Sequence, residues 1–495
     1  MVLVVGAGLS GLSTAVFLGL HGIRALVVER HESTSIHPKA RGQFPHTMEA
    51  LRLAGVDKRM TDASPPDDGF TIVVAASAVG PVFKEIQVDT QGPDLSALST
   101  ARWAGTSQER AEPILLDRAR ELGAEVRFST ELERFEQDAD GVTAVLVDLK
   151  TGERSEVRVP YLVAADGHRS PIREALGIGV HGRGVIGTGL GVVFEADLGD
   201  LVPRNVLLYL QNPELPGGGG VLVSTDDPGR YTVGTGMGDH DWLQVIRTAT
   251  GVPDLVPKII TPAGEPPDTK HWVADRFSEG RVHLVGDAAR VMPPTGAFGG
   301  NSAVMDGFHL AWKLAMVLNG DAGPGLLDSH DPERRPWSDF IAEQQYREFV
   351  QRMRPDLADS SLAEPVDPVS KLFFGYRNFS SAVLIEPDDD REMLEDPSMP
   401  TGRPGSRAPH VMVDGKSTIE WFGRGFVVLT GSSAWVAHAE SLGLDAYLVG
   451  DDVTKSYGIT PDGASLVRPD FVVAWRTQDA HGDLSRVLDE VLSRV

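Results

Sequence analysis

The chain opens with Val2-Leu3-Val4-Val5, continues as Gly6-Ala7-Gly8-Leu9-Ser10-Gly11, and then enters an apolar stretch at residues 12–18. The first segment is typical of a buried parallel strand, the second of a glycine turn and the third of a helix. In such a unit Gly6 allows the tight turn, Gly8 lets the backbone approach a pyrophosphate, and Gly11 lets the helix pack on the strand. The free N–H groups at the start of the helix then face the phosphates.

A second apolar strand at residues 25–28 ends in Glu29 and Arg30. An acid at this position typically accepts hydrogen bonds from a ribose, and Arg30 beside it is a further candidate for cofactor contact. Strand, glycine turn, helix, strand and acid in this order predict a dinucleotide-binding unit. The alternative is a glycine turn that merely packs a helix on a sheet. No signal peptide is expected, because the segment lacks a basic start and an A-x-A-like cleavage site.

Composition limits the classes of function. The 495 residues, of which 41% are hydrophobic and 23% charged, suit a globular protein of two or three domains. The absence of cysteine excludes disulfides, thiolate metal sites and cysteine nucleophiles, and fits a cytoplasmic location. No metal site is expected. The net charge of −24 argues against nucleic-acid and anionic membrane partners, and no apolar run approaches the length of a membrane span.

Two further cofactor candidates lie between the first motif and residue 110. The basic segment Pro38-Lys39-Ala40-Arg41-Gly42-Gln43 follows the ribose-binding acid, and Arg41 is expected to reach the cofactor; the alternative for Arg41 is a solvated loop charge. Gln108, just before an amphipathic helix predicted at residues 113–120, is the second.

A second motif follows the apolar strand at residues 161–165. Asp166 and Gly167 end this strand, where a polar residue meets a ligand in the crevice of a parallel sheet. Ser170 and Pro171 then start a helix, with proline at its first position. The alternative is an ordinary capped strand-to-helix turn.

A third motif follows the strand at residues 281–285. Gly286 and Asp287 end the strand, and Asp287 is expected to accept hydrogen bonds from a polyol hydroxyl. The loop at 291–301 lets the backbone lie flat against a planar ring, and the start of the helix predicted at 302–319 can stabilise negative charge on that ring. The cofactor candidates in this loop are Pro294, Gly296, Gly299, Gly300 and Asn301. The alternatives are a helix cap for Asp287 and an unspecialised loop for the glycines.

The remaining segments suggest three further parts. Residues 176–275 are rich in glycine and β-branched residues and predict an antiparallel sheet that covers a pocket. A helix is predicted at 336–353, followed by a linker at 355–390. From residue 401 the chain resumes as a compact α/β unit with strands at 426–429 and 445–449, a hairpin within 465–475 and a closing helix at 483–495.

The three motifs GAGLSG, DGHRSPIR and GDAARVMPPTGAFGGN together resemble the FAD-dependent aromatic hydroxylases of the p-hydroxybenzoate hydroxylase fold. Segments including Asp306–Leu314 and 463–470 are most similar to the polyketide-tailoring branch, of the aklavinone hydroxylase type. The resemblance implies that the first motif binds the ADP half of FAD and that Gly286-Asp287 contacts the ribityl chain and pyrophosphate. It also implies that Asp166-Gly167 lies near both FAD and NADPH.

The resemblance implies an α/β fold of three domains. These are a Rossmann-like FAD-binding domain (1–68, 101–175 and 276–330), an inserted antiparallel substrate-binding sheet (69–100 and 176–275), and, after a helical linker (331–398), a thioredoxin-like C-terminal domain (399–495). Without cysteine that last domain cannot perform disulfide chemistry. Its expected role is structural or in association, and a homodimer is one option.

The implied activity is hydroxylation of a phenol-like ring of a polyketide or related intermediate, with FAD, NADPH and O₂. Tyr209, Arg230 and Arg377 are the candidates for catalytic residues facing the pocket, with ordinary structural roles as the alternative. Tyr209 is the one Tyr or His on a strand that is rich in both in aklavinone hydroxylases, and glycines at 217–220 shorten the sheet. An FAD-binding cyclase, for example one forming a decalin by [4+2] addition without net redox, is therefore the second hypothesis, and a catalytically silent FAD-binding protein is the third.

Overall fold

The computed structural model describes residues 1–35, 40–64, 70–88, 94–187, 190–203, 206–236, 238, 240–260 and 268–494. Pro38 and Lys39 of the basic segment lie outside this range. The α-helices span Leu9–Leu20, Pro45–Leu53, Asp57–Ala63, Gln108–Glu121, Pro171–Ala175, Trp242–Thr250, Phe298–Asn319, His330–Met353, Ser370–Phe374, Ser433–Ser441, Asp451–Ser456 and Leu484–Val491. None of these helices is long and apolar enough to cross a lipid bilayer.

A six-stranded sheet forms the centre of the nucleotide-binding part. Its order is Ser278–Glu279, Val282–Leu284, Leu162–Ala164, Val2–Val5, Ala25–Val28 and Glu125–Arg127, and all neighbours are parallel except the first pair. The inner strands are apolar and buried, as expected for parallel strands covered on both faces. The predicted Rossmann-like unit is confirmed.

Two long helices cover this sheet together. Leu9–Leu20 packs closely on Phe298–Asn319, where the Phe17 and Phe308 rings lie 5.0 Å apart. A Cβ on Gly307 would come within 2.7 Å of the Thr14 nitrogen, so the two backbones approach as only glycine permits.

A seven-stranded sheet forms the second part, in the order Lys258–Ile259, Leu190–Glu195, Arg230–Thr235, Gly219–Ser224, Val206–Gln211, Phe70–Ala75 and Val82–Val88. The predicted sheet is confirmed and is antiparallel except at one seam. There Val206–Gln211 pairs in parallel with Phe70–Ala75, because an earlier hairpin adds to the edge of the later sheet. Three smaller sheets complete this region. Two have three strands each, Thr130–Gln137, Val142–Asp148 and Arg154–Val159 in one and Val180–Gly187, Thr269–Ala274 and Arg290–Val291 in the other. The third pairs Arg41–Gln43 with Ala104–Ser107.

Helix boundaries differ from the predictions at several points. The helix expected from residue 302 begins at Phe298, and the helix expected from Pro336 begins at His330, with Pro336 inside it. Glu333 in the first turn of that helix pairs with Lys313 and Arg468, all three side chains being fully buried. Burial and ion pairing thus outweigh the local cost of the proline. The helix near residue 113 also extends around its proline, over Gln108–Glu121, and the closing helix is shorter than predicted, at Leu484–Val491.

The C-terminal part alternates strand, helix, strand, helix, two strands and helix. Its sheet has the order Asp445–Leu448, Val427–Thr430, Ala464–Val467 and Val473–Thr477, of which the first pair is parallel and the others antiparallel. A small hairpin joins Met412–Val413 to Lys416–Ser417. The mixed sheet has the arrangement of a thioredoxin-like domain, as predicted.

Candidate active site

One large cavity of about 2150 Å³ connects the parallel sheet with the seven-stranded sheet. At one end it is lined by the first glycine turn and Glu29. At the other it is lined by strand residues of the second sheet, including Ile72, Leu207 and Tyr209. The Pro293–Gly300 loop lines the cavity as well. Drug-sized ligands fill pockets of roughly 300–1,000 Å³, so this cavity has room for a large cofactor and a second molecule.

The glycines of the first turn have two roles, because some allow close packing and one leaves space for a ligand. Gly6 has φ +106°, and a Cβ there would collide with the carbonyl oxygen of Ala165 on the neighbouring strand. A Cβ on Gly11 would collide with the Gly6 carbonyl oxygen, so Gly11 serves helix packing and does not line the cavity. Gly8 lines the cavity, and its nearest neighbour would be a Glu112 oxygen 3.7 Å away. The space over Gly8 is therefore open to a ligand.

Two helix N-termini open into the same cavity without a capping side chain. The helix Leu9–Leu20 follows Gly8, and the helix Phe298–Asn319 follows Ala297, which has φ +60°. Neither capping residue provides a side-chain hydrogen bond. The first N–H groups of a helix lack partners within the helix, and its N-terminus attracts negative charge. Both ends can thus receive an anionic group from a ligand.

Glu29 is fixed at the polar end of the cavity. Its Oε2 accepts a hydrogen bond from the Ala7 nitrogen at 2.8 Å, and its Oε1 accepts one from the His31 nitrogen at 2.9 Å. The His31 ring contacts the same Oε1 at 2.5 Å. A carboxylate oxygen has more than one lone pair, so Glu29 keeps the capacity to accept from a ribose hydroxyl. Arg30 next to it is exposed and lines the cavity.

Arg41 and Gln108 also line the cavity and hold neighbouring groups. Arg41 Nη2 pairs with Asp226 Oδ1 at 2.6 Å and thereby ties the nucleotide-binding part to the second sheet. Gln108 Nε2 donates to Glu112 Oε1 at 2.7 Å. Glu112 is almost fully buried and lines the cavity beside Gly8. The sequence analysis missed Glu112, which follows Gln108 by one helical turn.

The second motif supplies Asp166 to the cavity. Its Oδ1 accepts from the Ser170 hydroxyl at 2.7 Å, and its Oδ2 accepts from the Ile172 nitrogen at 3.2 Å. Burial raises the pKa of this carboxyl, although these hydrogen bonds oppose the shift. Asp166 thus stabilises the start of the helix Pro171–Ala175 and faces the cavity as well.

In the third motif, Asp287 reaches the cavity and Gly286 does not. Gly286 has φ +61°, and a Cβ there would lie 2.5 Å from the Ser10 hydroxyl, so the glycine allows a close turn rather than a ligand contact. The Gly286 nitrogen donates to Asp306 Oδ2 at 2.9 Å. Asp306 also pairs with Arg290 at 2.6 Å and Arg334 at 2.9 Å. Burial alone would raise the pKa of Asp306, but the two guanidinium groups outweigh it and lower the pKa.

The loop before the long helix has a similar division. Pro294, Gly296, Gly299 and Gly300 line the cavity, whereas Asn301 does not. Asn301 Oδ1 accepts from the Phe44 nitrogen at 2.8 Å, and its Nδ2 donates to the carbonyls of Gly42 and Ala297 at 3.0 and 2.9 Å. Asn301 therefore holds the segment at Phe44 against the start of the helix.

Of the three predicted catalytic residues, Tyr209 alone lines the cavity. Burial raises the pKa of its hydroxyl, an effect that the charge of Arg352 opposes. The expectation that Arg230 and Arg377 face the pocket is corrected, since neither lines it. Arg230 pairs with Asp227 at 2.7 Å at the start of the strand Arg230–Thr235. Arg377 is fully buried and pairs with Asp389 at 2.5 Å, so it stabilises the linker.

The structure adds two groups of cavity residues that the sequence analysis missed. One face of the helix His330–Met353 contributes Gln344, Glu348 and Arg352, which are spaced by four residues. Arg352 donates to the Thr295 carbonyl at 2.8 Å and pairs with Glu348 at 2.6 Å. The spacing of four residues was the feature of the sequence that could have identified this group.

The second group is an aromatic wall, made of Phe44, Trp103, Phe298 and Phe373. The centroid of the Phe44 ring lies 5.0, 4.6 and 4.9 Å from those of Trp103, Phe298 and Phe373. These residues are far apart in sequence and are brought together by the fold alone. Among the described residues, no cluster of His, Asp or Glu is arranged to hold a metal ion.

Comparison with known proteins gives consistent matches along the chain. Residues 1–345 match the FAD binding domain family, and residues 401–495 match the C-terminal domain of aromatic-ring hydroxylases. The chain is 41% identical to an aklavinone 12-hydroxylase of Streptomyces purpurascens, with 100% of this chain and 98% of that protein covered. It is 38% identical to a 4-methyl-5-nitrocatechol 5-monooxygenase of a Burkholderia species, with 100% and 97% covered. A solved complex of an aklavinone-11 hydroxylase with FAD and aklavinone is similar in structure, with a TM-score of 0.91, 40% identity and 100% and 99% of the two chains covered.

Proposed function

The chain belongs to the family of FAD-dependent aromatic-ring hydroxylases, and on that basis we propose that it hydroxylates a phenolic ring of a multi-ring polyketide with FAD, NADPH and O₂. The observation that carries the proposal is that one large cavity joins a nucleotide-binding end to an apolar, aromatic compartment. The predicted class, a flavin-dependent monooxygenase, is confirmed by the relatives. The cyclase alternative is not favoured, because these relatives are hydroxylases and monooxygenases.

The residues of the cavity fit FAD. The two uncapped helix N-termini suit its two electron-rich parts, the pyrophosphate near Gly8 and the pyrimidine edge of the flavin near Gly299 and Gly300. Glu29 is proposed to bind the ribose, and Asp287 the ribityl chain. Arg30, Arg41, Gln108 and Asp166 are proposed as further contacts. Bound FAD supplies the two-electron chemistry and the activation of O₂.

The side chains of the chain have a narrower task. A phenol is more reactive as a phenolate, so the pocket must take up its proton and limit access of water. Tyr209 is protonated at neutral pH, as tyrosine ordinarily is, and burial raises its pKa further, so its hydroxyl can donate a hydrogen bond to a substrate oxygen. Arg352 is proposed to stabilise the phenolate, since its charge acts on the same part of the cavity as Tyr209.

The size and surface of the cavity favour a multi-ring substrate over a single ring. The aromatic wall offers edge and face contacts to a flat ligand, and the seven-stranded sheet adds aliphatic lining residues on three neighbouring strands, Ile72, Leu207 and Val223. A ligand with one ring would leave much of this surface exposed to water. Two of the relatives are named as hydroxylases of aklavinone, and one of them was solved with FAD and aklavinone bound.

Three further points belong to the proposal. The division into an FAD-binding domain, a substrate-binding sheet, a linker and a C-terminal domain keeps the boundaries given above. A cytoplasmic location is proposed because NADPH is available there. A homodimer through the C-terminal domain is proposed as well, and light scattering during gel filtration measures it directly.

The test uses the purified protein with FAD and two phenols, aklavinone and 4-methyl-5-nitrocatechol. Anaerobic mixing with NADPH should bleach the flavin, faster with aklavinone present, and aerobic turnover should yield a product that has gained one oxygen atom by mass spectrometry. Turnover of the nitrocatechol alone would overturn the polyketide assignment. Bound FAD that NADPH does not reduce with either phenol would overturn the proposed activity.

A further inference from the structure

No residue from 401–494 lines the large cavity, yet the C-terminal domain contacts the segments that form its aromatic wall. The contact centres on Arg407, which precedes the first hairpin of that domain. Its side chain is 9% exposed.

Arg407 makes one contact with each of three segments that carry a wall residue. Its Nη2 pairs with Glu49 Oε1 at 2.6 Å, on the helix that begins directly after Phe44. The same nitrogen donates to the Leu98 carbonyl at 3.2 Å, five residues before Trp103. Its guanidinium carbon lies 4.5 Å from the centre of the Phe374 ring, next to Phe373.

Glu49 strengthens the connection between two of these segments. The Ser99 hydroxyl donates to the same Glu49 Oε1 at 2.6 Å, and the Glu49 side chain is 4% exposed. Charge-assisted hydrogen bonds are stronger than neutral ones, and a buried carboxylate left without its cation is strongly unfavourable. The position of Phe44 relative to Trp103 therefore depends on Arg407.

A pocket beside the aromatic wall gives the rings room to move if Arg407 is removed. A small pocket of about 60 Å³ adjoins the wall, and Phe44, Phe298 and Phe373 line both this pocket and the large cavity. Arg407 lines the small pocket too. Removal of its side chain would enlarge the pocket and give the rings room to move back. Packed aromatic rings respond to such a gap, since they lose contacts on one side.

We propose that Arg407 is a positioning residue, through which the C-terminal domain holds the aromatic wall in place for a flat, multi-ring substrate. This inference rests on the proposed function for the nature of the substrate. It gives the C-terminal domain a specific role in substrate binding without a residue in the cavity.

The test compares the wild type with Arg407→Ala, Arg407→Lys and a control, Arg424→Ala. Arg424 also crosses from the C-terminal domain to the nucleotide-binding part, where it donates to the Leu20 carbonyl at 2.9 Å, and it has no contact with the wall. The holoproteins are titrated with 1,8-dihydroxyanthraquinone, a tricyclic phenol, and its binding is followed by the change in flavin absorbance. Thermal unfolding and the coupling of NADPH oxidation to product are measured in parallel.

We expect Arg407→Ala to weaken probe binding at least tenfold and to lower the coupling, with FAD content unchanged. Arg407→Lys should recover part of the affinity, because it restores the charge beside Glu49. Arg424→Ala should bind the probe like the wild type even where it lowers the unfolding temperature. Equal affinity in Arg407→Ala and the wild type would overturn the inference, as would an equal loss in Arg424→Ala.

Hydrogen–deuterium exchange separates this inference from the proposed function. Peptides covering residues 44–53, 98–104 and 370–376 should exchange faster in Arg407→Lys, which retains the fold most readily, than in the wild type. That result would support the positioning role even if no phenol bound the wild type, an outcome that would overturn the substrate proposal alone. Unchanged exchange in all three peptides would overturn the role of Arg407.

Discussion

Gly6 and Gly22 provide a matched pair for testing the first turn. Both have positive φ, +106° and +77°, and both flank the helix Leu9–Leu20. Alanine at either position would have to adopt a backbone conformation with positive φ, which costs about 1–2 kcal/mol. At Gly22 nothing lies within 4 Å of the added Cβ, so the effect of Gly22→Ala ends there.

At Gly6 the added Cβ collides with the Ala165 carbonyl oxygen. Relief requires a shift of Val2–Val5 against Leu162–Ala164, although Leu3–Val5 is paired in register with that strand. Overpacking of this kind costs typically about 1–3 kcal/mol more. Gly6→Ala should therefore lose about 2–5 kcal/mol in total, and the displaced turn should also bind FAD less well.

The assay is thermal unfolding of both variants, together with the FAD absorbance per chain after gel filtration. Gly6→Ala is expected to unfold at a clearly lower temperature than Gly22→Ala and to retain less flavin. Equal unfolding temperatures and equal FAD content would refute the reasoning, because they would show that the strand neighbouring Gly6 does not restrict it.

Three other predictions address the site and its surroundings. Asp287→Ala should weaken FAD binding roughly tenfold to a hundredfold, as expected for loss of a charged hydrogen bond worth about 1.5–3 kcal/mol. The circular dichroism spectrum should stay the same. Full FAD occupancy after purification would contradict this prediction. Tyr209→Phe should lower kcat by roughly tenfold to a hundredfold and keep the FAD content, as expected for loss of a hydrogen bond to a phenolate worth about 1.5–3 kcal/mol, and an unchanged kcat would exclude such a bond from the Tyr209 hydroxyl. His181 bonds to Asp275 and Asp339 at 2.8 Å each, and although burial opposes its charge, these bonds raise its pKa above the usual 6.5. The stabilisation by charged His181 is thus fully present below pH 6.5 and is lost as the pH rises through the folded-state pKa. The difference in unfolding free energy between wild type and His181→Gln should be below about 1 kcal/mol, because these side chains are partly exposed, and should disappear at alkaline pH. A difference that grows with pH would refute the direction of the pKa shift.

Local sequence predicted most of the nucleotide-binding end. Local patterns of strand, turn and helix were enough to find Gly6, Glu29 and Asp287. Each lies near a turn whose geometry depends on residues close to it in sequence. The same patterns could not separate glycines that face a ligand from those that allow packing. Gly286 has a turn-like environment in sequence, but its φ and the Ser10 side chain above it are set by contacts between distant segments.

The substrate end was harder to predict because it is assembled from many segments. Phe44, Trp103 and Phe373 each have an unremarkable sequence context and meet only in the folded protein. Arg377 shows the opposite error. It was expected to face the pocket as a catalytic residue, whereas the fold buries it against Asp389 and Asp390. Burial of a charge depends on partners whose distance in space cannot be read from a single sequence.

The order of strands in the central sheet also restricts when the protein can form its cofactor site during synthesis. Val2–Val5 emerges from the ribosome long before its neighbour Leu162–Ala164 and the next strand, Val282–Leu284. At bacterial-like rates of roughly 5–20 residues per second, the third of these strands appears about 15–60 s after the first. Until then Val2–Val5 can pair with Ala25–Val28 on one side only, and its other edge stays open, a state in which chaperones bind and aggregation begins. Expression at low temperature, or with added chaperones, should therefore change the yield of folded protein more than it changes the stability of the protein once folded.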